Sequence, residues 1–322
     1  MLYNEVCENK LFLIQMSNDN LKNLDFKIAG VLVDEMPQYL DHLTPLCKYL
    51  KIPLFVNEVS TEEDILKYYP DIDVTYIPTR EFPKFLAKNF DGIINCFGRE
   101  YFSDQCFAGI IETFKKMKYY WLPHGNSDKG RNSGGLCVIQ GEEHALIYGD
   151  HMKDAFGDIK TNIKFTKIGN YRKIFYNEHK NFFKKLLDEE ILSKLNSSAK
   201  KTILYAPTWE NNNDYSSIDY YDQLVEGLYD NWNMIIKIHP NSLIQKGIEI
   251  ERMKFKYRNK KNVLFLEKFP PIYPLIDFCD VYIGDMSSIG YDFLTSYKPM
   301  FFINSQKVDP KTNKDLFLYQ AG

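Results

Sequence analysis

Short apolar, β-branched runs alternate with helix-patterned stretches along most of the chain, and this rhythm restricts its fold more than any other property. The runs are Leu11–Gln15, Lys27–Val33, Ile52–Val56, Val74–Ile77, Gly92–Phe97, Tyr119–Leu122 and Lys164–Ile168, then Thr202–Pro207, Met234–Pro240, Asn262–Glu267, Asp280–Gly284 and Pro299–Asn304. A strand that leads through a helix into the next strand crosses over, and crossovers make neighbouring strands parallel. The expected fold class is therefore α/β with parallel sheets. Between the runs, Phe107, Ile110, Ile111, Phe114 and Met117 recur at three and four residues, which predicts a helix over Asp104–Lys118 with one face on a sheet. Further helices are predicted at Tyr220–Tyr229 and Leu243–Tyr257.

A chain of 322 residues exceeds a single typical domain of about 100 to 200 residues. The pattern turns polar at the NSSAKK run after Leu195 and then restarts. Two domains are expected, 1–190 and 191–322. Forty Lys and Arg against 43 Asp and Glu leave a formal charge of −3, so no global positive field invites nucleic acid. The six cysteines, at 7, 47, 96, 106, 137 and 279, form no C-x-x-C pair, which suits reduced thiols better than a disulfide framework or zinc site. The amino terminus has charges on both sides of a very short apolar stretch and is not expected to be a signal peptide. No run of about 18 apolar residues is present to span a membrane. The 23 Tyr and 23 Phe fill a core or line a sugar groove equally well.

In open parallel sheets, ligands bind beyond the carboxyl ends of the strands. Four polar segments fall at such ends: Pro123–Gly130, Tyr205–Glu210, Lys237–Ser242 and Gly284–Asp292. They are expected to share one cleft between two sheets. In the last, Gly284 permits a sharp exit, Asp285 or Ser287 caps the next helix, and the Ser287 and Ser288 hydroxyls with free amides form an anion pocket. The alternative is an ordinary helix cap, with Asp292 a surface carboxylate. His124 and His239 each follow an apolar strand and touch a proline, and imidazole exchanges protons near neutral pH. Either alone reads as a structural histidine; the equivalent positions in both halves favour chemistry. Lys129, with Arg131 nearby, neutralises a second phosphate or is a solvated loop charge. Thr208 and Trp209 bond and stack on a nucleotide or cover the core. Asp71 and Asp73 imitate a metal-binding D-x-D but suit a turn better. His144 and His151 lack a tight ligand spacing, so no metal is expected.

Taken in order, Trp121–Lys129, Ala206–Trp209, Lys237–Pro240, Asp285–Asp292 and Lys298–Pro299 resemble the CDP-glycerol glycerophosphotransferase family of teichoic-acid primases and polymerases. That family shows WHGTPLK-like, APTWR-like, K-x-H-P-like and TDYSSxxFD-like segments, then KP. The resemblance implies a GT-B fold, two Rossmann-like domains whose parallel sheets face a central cleft, with acceptor on the amino-terminal side and nucleotide donor on the other. It implies a transferase that moves glycerol phosphate or a similar phosphoalcohol from a CDP-activated donor to a cell-surface polymer, polyol phosphate or polyprenol-linked glycan, releasing CMP, as in teichoic acid or capsule synthesis. His124 then corresponds to the base on the acceptor hydroxyl and His239 to the histidine near the donor phosphates. Lys129, Thr208, Asp285, Ser287, Ser288 and Asp292 fall to donor binding. No cofactor is implied, since the CDP-linked donor is a substrate. Similar enzymes work at the cytoplasmic face of the plasma membrane.

The chain departs from the pattern at Asn126, Ser127, Asp128, Glu210 and Met286, and it stops at Gly322 where relatives usually continue. Losing a cation at 210 and gaining Asp128 makes the expected site less positive. Other CDP-alcohols fit that change, as does a nucleotide-sugar glycosyltransferase or a non-catalytic nucleotide- or glycan-binding member. Cations Arg172, Lys173, Lys180, Lys184 and Lys185 among Phe175, Phe182, Phe183 and Leu186 suit a basic amphipathic face on anionic lipid, or a helix packed on its own domain.

Overall fold

The computed structural model describes residues 26–98, 117–126, 142–155, 162–210, 216–305, 307, 309 and 317–320. Among them the chain divides into two compact units. The first runs to His124 and resumes from Glu142 to His179; the second takes Gly125, Asn126 and everything from Lys180 onward. The predicted strand Leu11–Gln15 lies outside the described residues. So does the predicted helix Asp104–Lys118 apart from its end, where Lys118 instead begins a strand.

The described residues of the first unit form seven parallel strands: β1 (Ile28–Leu32), β2 (Leu54–Val56), β3 (Val74–Tyr76), β4 (Gly92–Asn95), β5 (Lys118–Trp121), β6 (His144–Ile147) and β7 (Lys164–Lys167). They lie in the order β3-β2-β1-β4-β5-β6-β7. Central strands β1, β2 and β4 are apolar runs buried almost throughout, as strands covered on both faces must be. β6 escapes sequence detection because His144-Ala145-Leu146-Ile147 is short and follows polar residues. Helix α1 (Pro37–Leu50) starts on Pro37, whose missing N–H costs nothing in the first turn, and ends at Lys51 in the left-handed region (φ 54°). It lies tight on β1: a Cβ at Gly30 would overlap the Cys47 sulfur. The further helices among the described residues of the unit are α2 (Val59–Tyr68), α3 (Phe82–Asn89), α4 (Asp150–Ala155) and α5 (Tyr171–Glu178), with Asn170 capping α5 through its side chain.

From Lys180 onward the described residues of the second unit open with α6 (Lys180–Glu190) and form five parallel strands in the order β10-β9-β8-β11-β12. These are β8 (Lys201–Ala206), β9 (Trp232–Lys237), β10 (Val263–Leu266), β11 (Val281–Gly284) and β12 (Met300–Phe302). Helices α7 (Tyr221–Glu226), α8 (Pro240–Tyr257), α9 (Tyr273–Phe278) and α10 (Ser288–Phe293) connect them. The core packs Tyr205, Met234, Ile236 and Ile238 against Val225, Ile250 and Met253. α8 begins earlier than its apolar period predicts because Pro240 is a favourable first helical residue, and it kinks at Lys246 (φ −127°, ψ 30°). α9 has no counterpart among the helices that the sequence predicts; Lys298 secures its end by donating to the carbonyls of Ile276, Asp277 and Cys279 at 3.0, 2.7 and 2.7 Å.

The apolar side of the Tyr171–Lys185 stretch is packed on the protein. Phe175, Phe183 and Leu186 are buried in their own units, and the Arg172 side chain, 2% exposed, pairs with Asp41. No described helix is long and apolar enough to cross a membrane.

Candidate functional site

In the second unit, the neighbouring strands β9, β8 and β11 all end at one edge of the sheet, so the residues that follow them are brought together by topology. β8 is stopped by Pro207, and the next amide, Thr208 N–H, donates to both carboxylate oxygens of Asp285 at 2.9 and 3.1 Å. Ser217, in the turn before α7, donates its N–H and hydroxyl to Asp285 Oδ2 at 2.7 and 2.8 Å. Asp285 is fully buried, so a charge taken out of water is compensated by a dense set of donors. That commitment decides the cap. Ser287, not Asp285, sits at the N-cap of α10, its hydroxyl accepting from Ile289 N–H at 3.4 Å. Ser287 is buried and Ser288 half-buried. A Cβ at Gly284 would overlap the Tyr282 hydroxyl, which is why the strand exit is glycine. Asp292 accepts from Tyr273 Oη at 3.1 Å, and Met286 packs with Tyr319 and Phe302.

His239 caps α8: its Nδ1 accepts from Asn241 N–H at 3.1 Å. An accepting Nδ1 leaves the proton on Nε2, so the ring's other nitrogen is a hydrogen-bond donor. The Trp209 ring lies 6.2 Å from the imidazole, and Lys237 Nζ donates to the Phe269 carbonyl at 3.1 Å. Glu210 does not leave a bare negative charge. It pairs with Lys246 at the kink of α8, which also reaches Asp219 at 3.1 Å. Burial opposes the Lys246 charge, but the hydrogen bonds that its ammonium donates to Glu210 and Asp219 outweigh it and hold the ammonium pKa above its usual value.

In the first unit, β1, β4, β5 and β6 are neighbours and their carboxyl ends share an edge. His124 follows β5 and is exposed, and Gly125 after it takes φ 116°, a conformation that favours glycine. Its ring meets Tyr39 at 4.7 Å and 54°, and His42 at 6.4 Å and 82°. Behind it is a buried polar cluster. Arg172 Nε donates to Asp41 at 3.2 Å, Tyr69 Oη donates to the other Asp41 oxygen at 3.2 Å, and Tyr171 Oη donates to the His42 carbonyl at 2.8 Å. Arg172 Nη1 lies 3.2 and 3.4 Å from the two His42 ring nitrogens, and Tyr148 Oη lies 2.5 Å from Nδ1. Burial, then the Arg172 charge and then His124 push the His42 pKa well below its usual value, so this ring is neutral.

Tyr39, Asp41, His42, Tyr148 and Arg172 were not singled out as site residues from sequence. Their signal was positional: α1 follows β1, and Tyr148 follows the undetected β6. Lys129, Ser127, Asp128 and Arg131 lie outside the described residues. Asp71 and Asp73 occupy the turn that leads into β3, with Asp71 at φ 57° and the Asp73 carbonyl bonded to Leu54 N–H. His144 is within β6, stacked on Tyr120, and His151 is on α4. Among the described residues no group of three His, Cys, Asp or Glu is placed to hold a metal ion.

The teichoic acid glycerol-phosphate primase of Bacillus subtilis (strain 168) is 31% identical over 174 residues, 53% of this chain and 40% of the relative. The teichoic acid poly(ribitol-phosphate) polymerase of Bacillus spizizenii (strain ATCC 23059 / NRRL B-14472 / W23) is 29% identical over 218 residues, 66% of this chain and 33% of the relative. The chain thus matches less than half the length of these curated relatives. The solved wall teichoic acid polymerase TagF aligns with a TM-score of 0.59 at 15% identity, covering 98% of this chain and 79% of that one. The fold is accordingly the GT-B type of α/β architecture, with two Rossmann-like parallel sheets. The family model for CDP-glycerol:poly(glycerophosphate) glycerophosphotransferase matches residues 152–317 and so takes in Thr208, His239 and the whole Asp285–Asp292 loop. Because that match spans just over half of the 322 residues, the chain belongs to the CDP-glycerol:poly(glycerophosphate) glycerophosphotransferase family.

Proposed function

We propose that this protein transfers a phosphoalcohol, glycerol phosphate or a close analogue, from a CDP-linked donor to a cell-surface polymer or lipid-linked glycan, releasing CMP. One observation carries the reading. Within the family-matched stretch, β9, β8 and β11 end side by side, and the residues that follow are His239, Thr208 and the Asp285–Ser288 loop. In the reaction, the acceptor hydroxyl oxygen attacks the β-phosphorus, the new P–O bond forms as the bond to CMP breaks, and negative charge spreads over the phosphoryl oxygens. His124 takes the acceptor proton. His239, whose Nδ1 caps α8 and whose Nε2 carries the proton, donates to a phosphoryl oxygen. Thr208, Ser287, Ser288, Asp292 and Lys129 bind the donor, and Asp285 shapes that surface from behind by holding Thr208 and Ser217. The first unit then serves the acceptor and the second the donor.

The test is a thermal-shift panel of CMP, CDP-glycerol, CDP-ribitol, UDP-sugars and GDP-sugars on wild type, His124→Ala, His239→Ala and Ser287→Ala. Cytidine compounds are expected to stabilise the wild type, by about 2.7 kcal/mol at a hundred times Kd, and Ser287→Ala to abolish the shift. Stabilisation by UDP or GDP compounds alone replaces the reading with a nucleotide-sugar transferase. No stabilisation by any of them favours a non-catalytic role.

The same reading puts the chemistry in the cytoplasm, at the inner face of the plasma membrane when the acceptor is polyprenol-linked. With the apolar side of α6 packed inward, its exposed Lys180, Lys184 and Lys185 offer only charge to anionic lipid. Sedimentation with anionic liposomes is expected to be salt-sensitive and lost when these three lysines are reversed to glutamate. Absence of sedimentation, or no effect of reversal, removes this surface from the proposal.

A further inference from the structure

We infer that Tyr39 and His42 are positioning residues that hold the His124 imidazole in a fixed orientation and leave it room to gain charge. The inference rests on the reading of His124 as the base. An exposed histidine on a strand-exit loop has two rotatable side-chain bonds and no inherent orientation, whereas a general base must be aimed to within a fraction of an ångström. Here the ring is flanked by Tyr39 at 4.7 Å and edged by His42 at 6.4 Å. Tyr39 is itself steadied by an edge contact with Phe97 at 5.0 Å, in the loop after β4.

Both flanking residues come from the first turns of α1, and that end of α1 is tied down unusually well. α5 contributes Arg172 to Asp41 and Tyr171 to the His42 carbonyl; Tyr69, at the end of α2, contributes its hydroxyl to Asp41; and Tyr148, after β6, meets His42 Nδ1. The charges around His42 then balance. Asp41 and Arg172 form a buried pair, and Tyr69, Tyr171 and the buried Cys96 thiol after β4 are neutral, burial raising the pKa of all three. With the Arg172 guanidinium against it, His42 stays uncharged. A second protonated imidazole beside His124 would oppose proton capture by the base, and this arrangement removes that repulsion.

The experiment uses the full chain labelled with ¹³C at histidine Cε1, with the His124 resonance assigned from His124→Gln. Tyr39→Leu and His42→Gln are each followed by that resonance and by CMP release from CDP-glycerol in the presence of a poly(glycerophosphate) acceptor. Either change is expected to shift or broaden the His124 signal and to lower kcat about tenfold or more with KM within about twofold. Tyr39→Phe, which keeps the ring, is expected to recover most of both relative to Tyr39→Leu. An unmoved His124 signal in both variants overturns the inference, as does a loss confined to KM. If wild type turns over no CDP-alcohol, the functional reading fails while the resonance still decides the positioning role. If Tyr39→Leu does not fold, His42→Gln alone carries the decision.

Discussion

Replacing Asp285 with alanine strips a single carboxylate from three donors, Thr208 N–H, Ser217 N–H and Ser217 Oγ–H, that are shut away from water with it. Each buried donor left without an acceptor costs about 1 to 3 kcal/mol. The sum is reduced because alanine also escapes the cost of burying a charge and because the loops relax. A net loss of about 3 kcal/mol results, and at about 2 to 4 °C per kcal/mol for a unit of this size the melting temperature falls by about 6 to 12 °C. Ser217→Ala is the control. It removes one donor and leaves the carboxylate served by the two amides, so its loss stays below about 1.5 kcal/mol. Urea and thermal melts read by tryptophan fluorescence suit the measurement, since Trp209 adjoins Thr208 and Trp232 begins β9 in the same unit. If Asp285→Ala melts within about 2 °C of wild type, or Ser217→Ala costs as much as Asp285→Ala, the claim that this carboxylate organises the loop after β8 is wrong.

Gly30→Ala is expected to destabilise the first unit by about 1 to 3 kcal/mol because the new methyl overlaps the Cys47 sulfur. Cys47→Ala on that background should restore part of the loss, and additivity of the two melts would count against a direct clash. His42 has a pKa lowered below 6.5, so as pH falls through 6.5 the unfolded chain binds a proton that the native chain refuses. Stability should drop by up to about 1.4 kcal/mol per pH unit there, and urea melts at pH 7.5 to 5 should show this component missing in His42→Gln. Burial raises the thiol pKa values of Cys47, Cys96 and Cys279. Peptide mapping after thiol-reagent treatment should find these three modified only once the chain is unfolded; rapid native labelling of any of them contradicts its burial.

Much of the architecture was legible because it depends on local pattern. β-branched runs such as Ile28–Leu32 and Lys201–Ala206 carry their own strand signal, and Pro207 and Pro240 mark where two of them stop. The candidate loops after β5, β8, β9 and β11 were found by the same logic, since polar residues next to glycine or proline at a strand end stand out without tertiary information. Weak local signals were lost. β6 is four residues long, α9 is six, and the cation- and phenylalanine-rich stretch from Arg172 to Leu186 is divided between α5 and α6 at His179. Its apolar residues marked a face without showing what covers it.

From the sequence alone came the parallel α/β class, the polar strand ends, and the candidacy of His124, His239 and Ser287. Only the tertiary structure decided what the buried charges do. Asp285 and Thr208 are 77 residues apart, and Arg172 and His42 are 130 apart, so no local pattern announces either pairing. A carboxylate beside a helix start and an arginine in a basic stretch each have a plausible local partner. Burial overrules it, because a charge removed from water must take whichever donors or acceptors the packed sheets bring within about 3 Å. Helix caps and strand ends are set by neighbours in sequence; the partners of Asp285, Arg172 and His42 are set by neighbours in space.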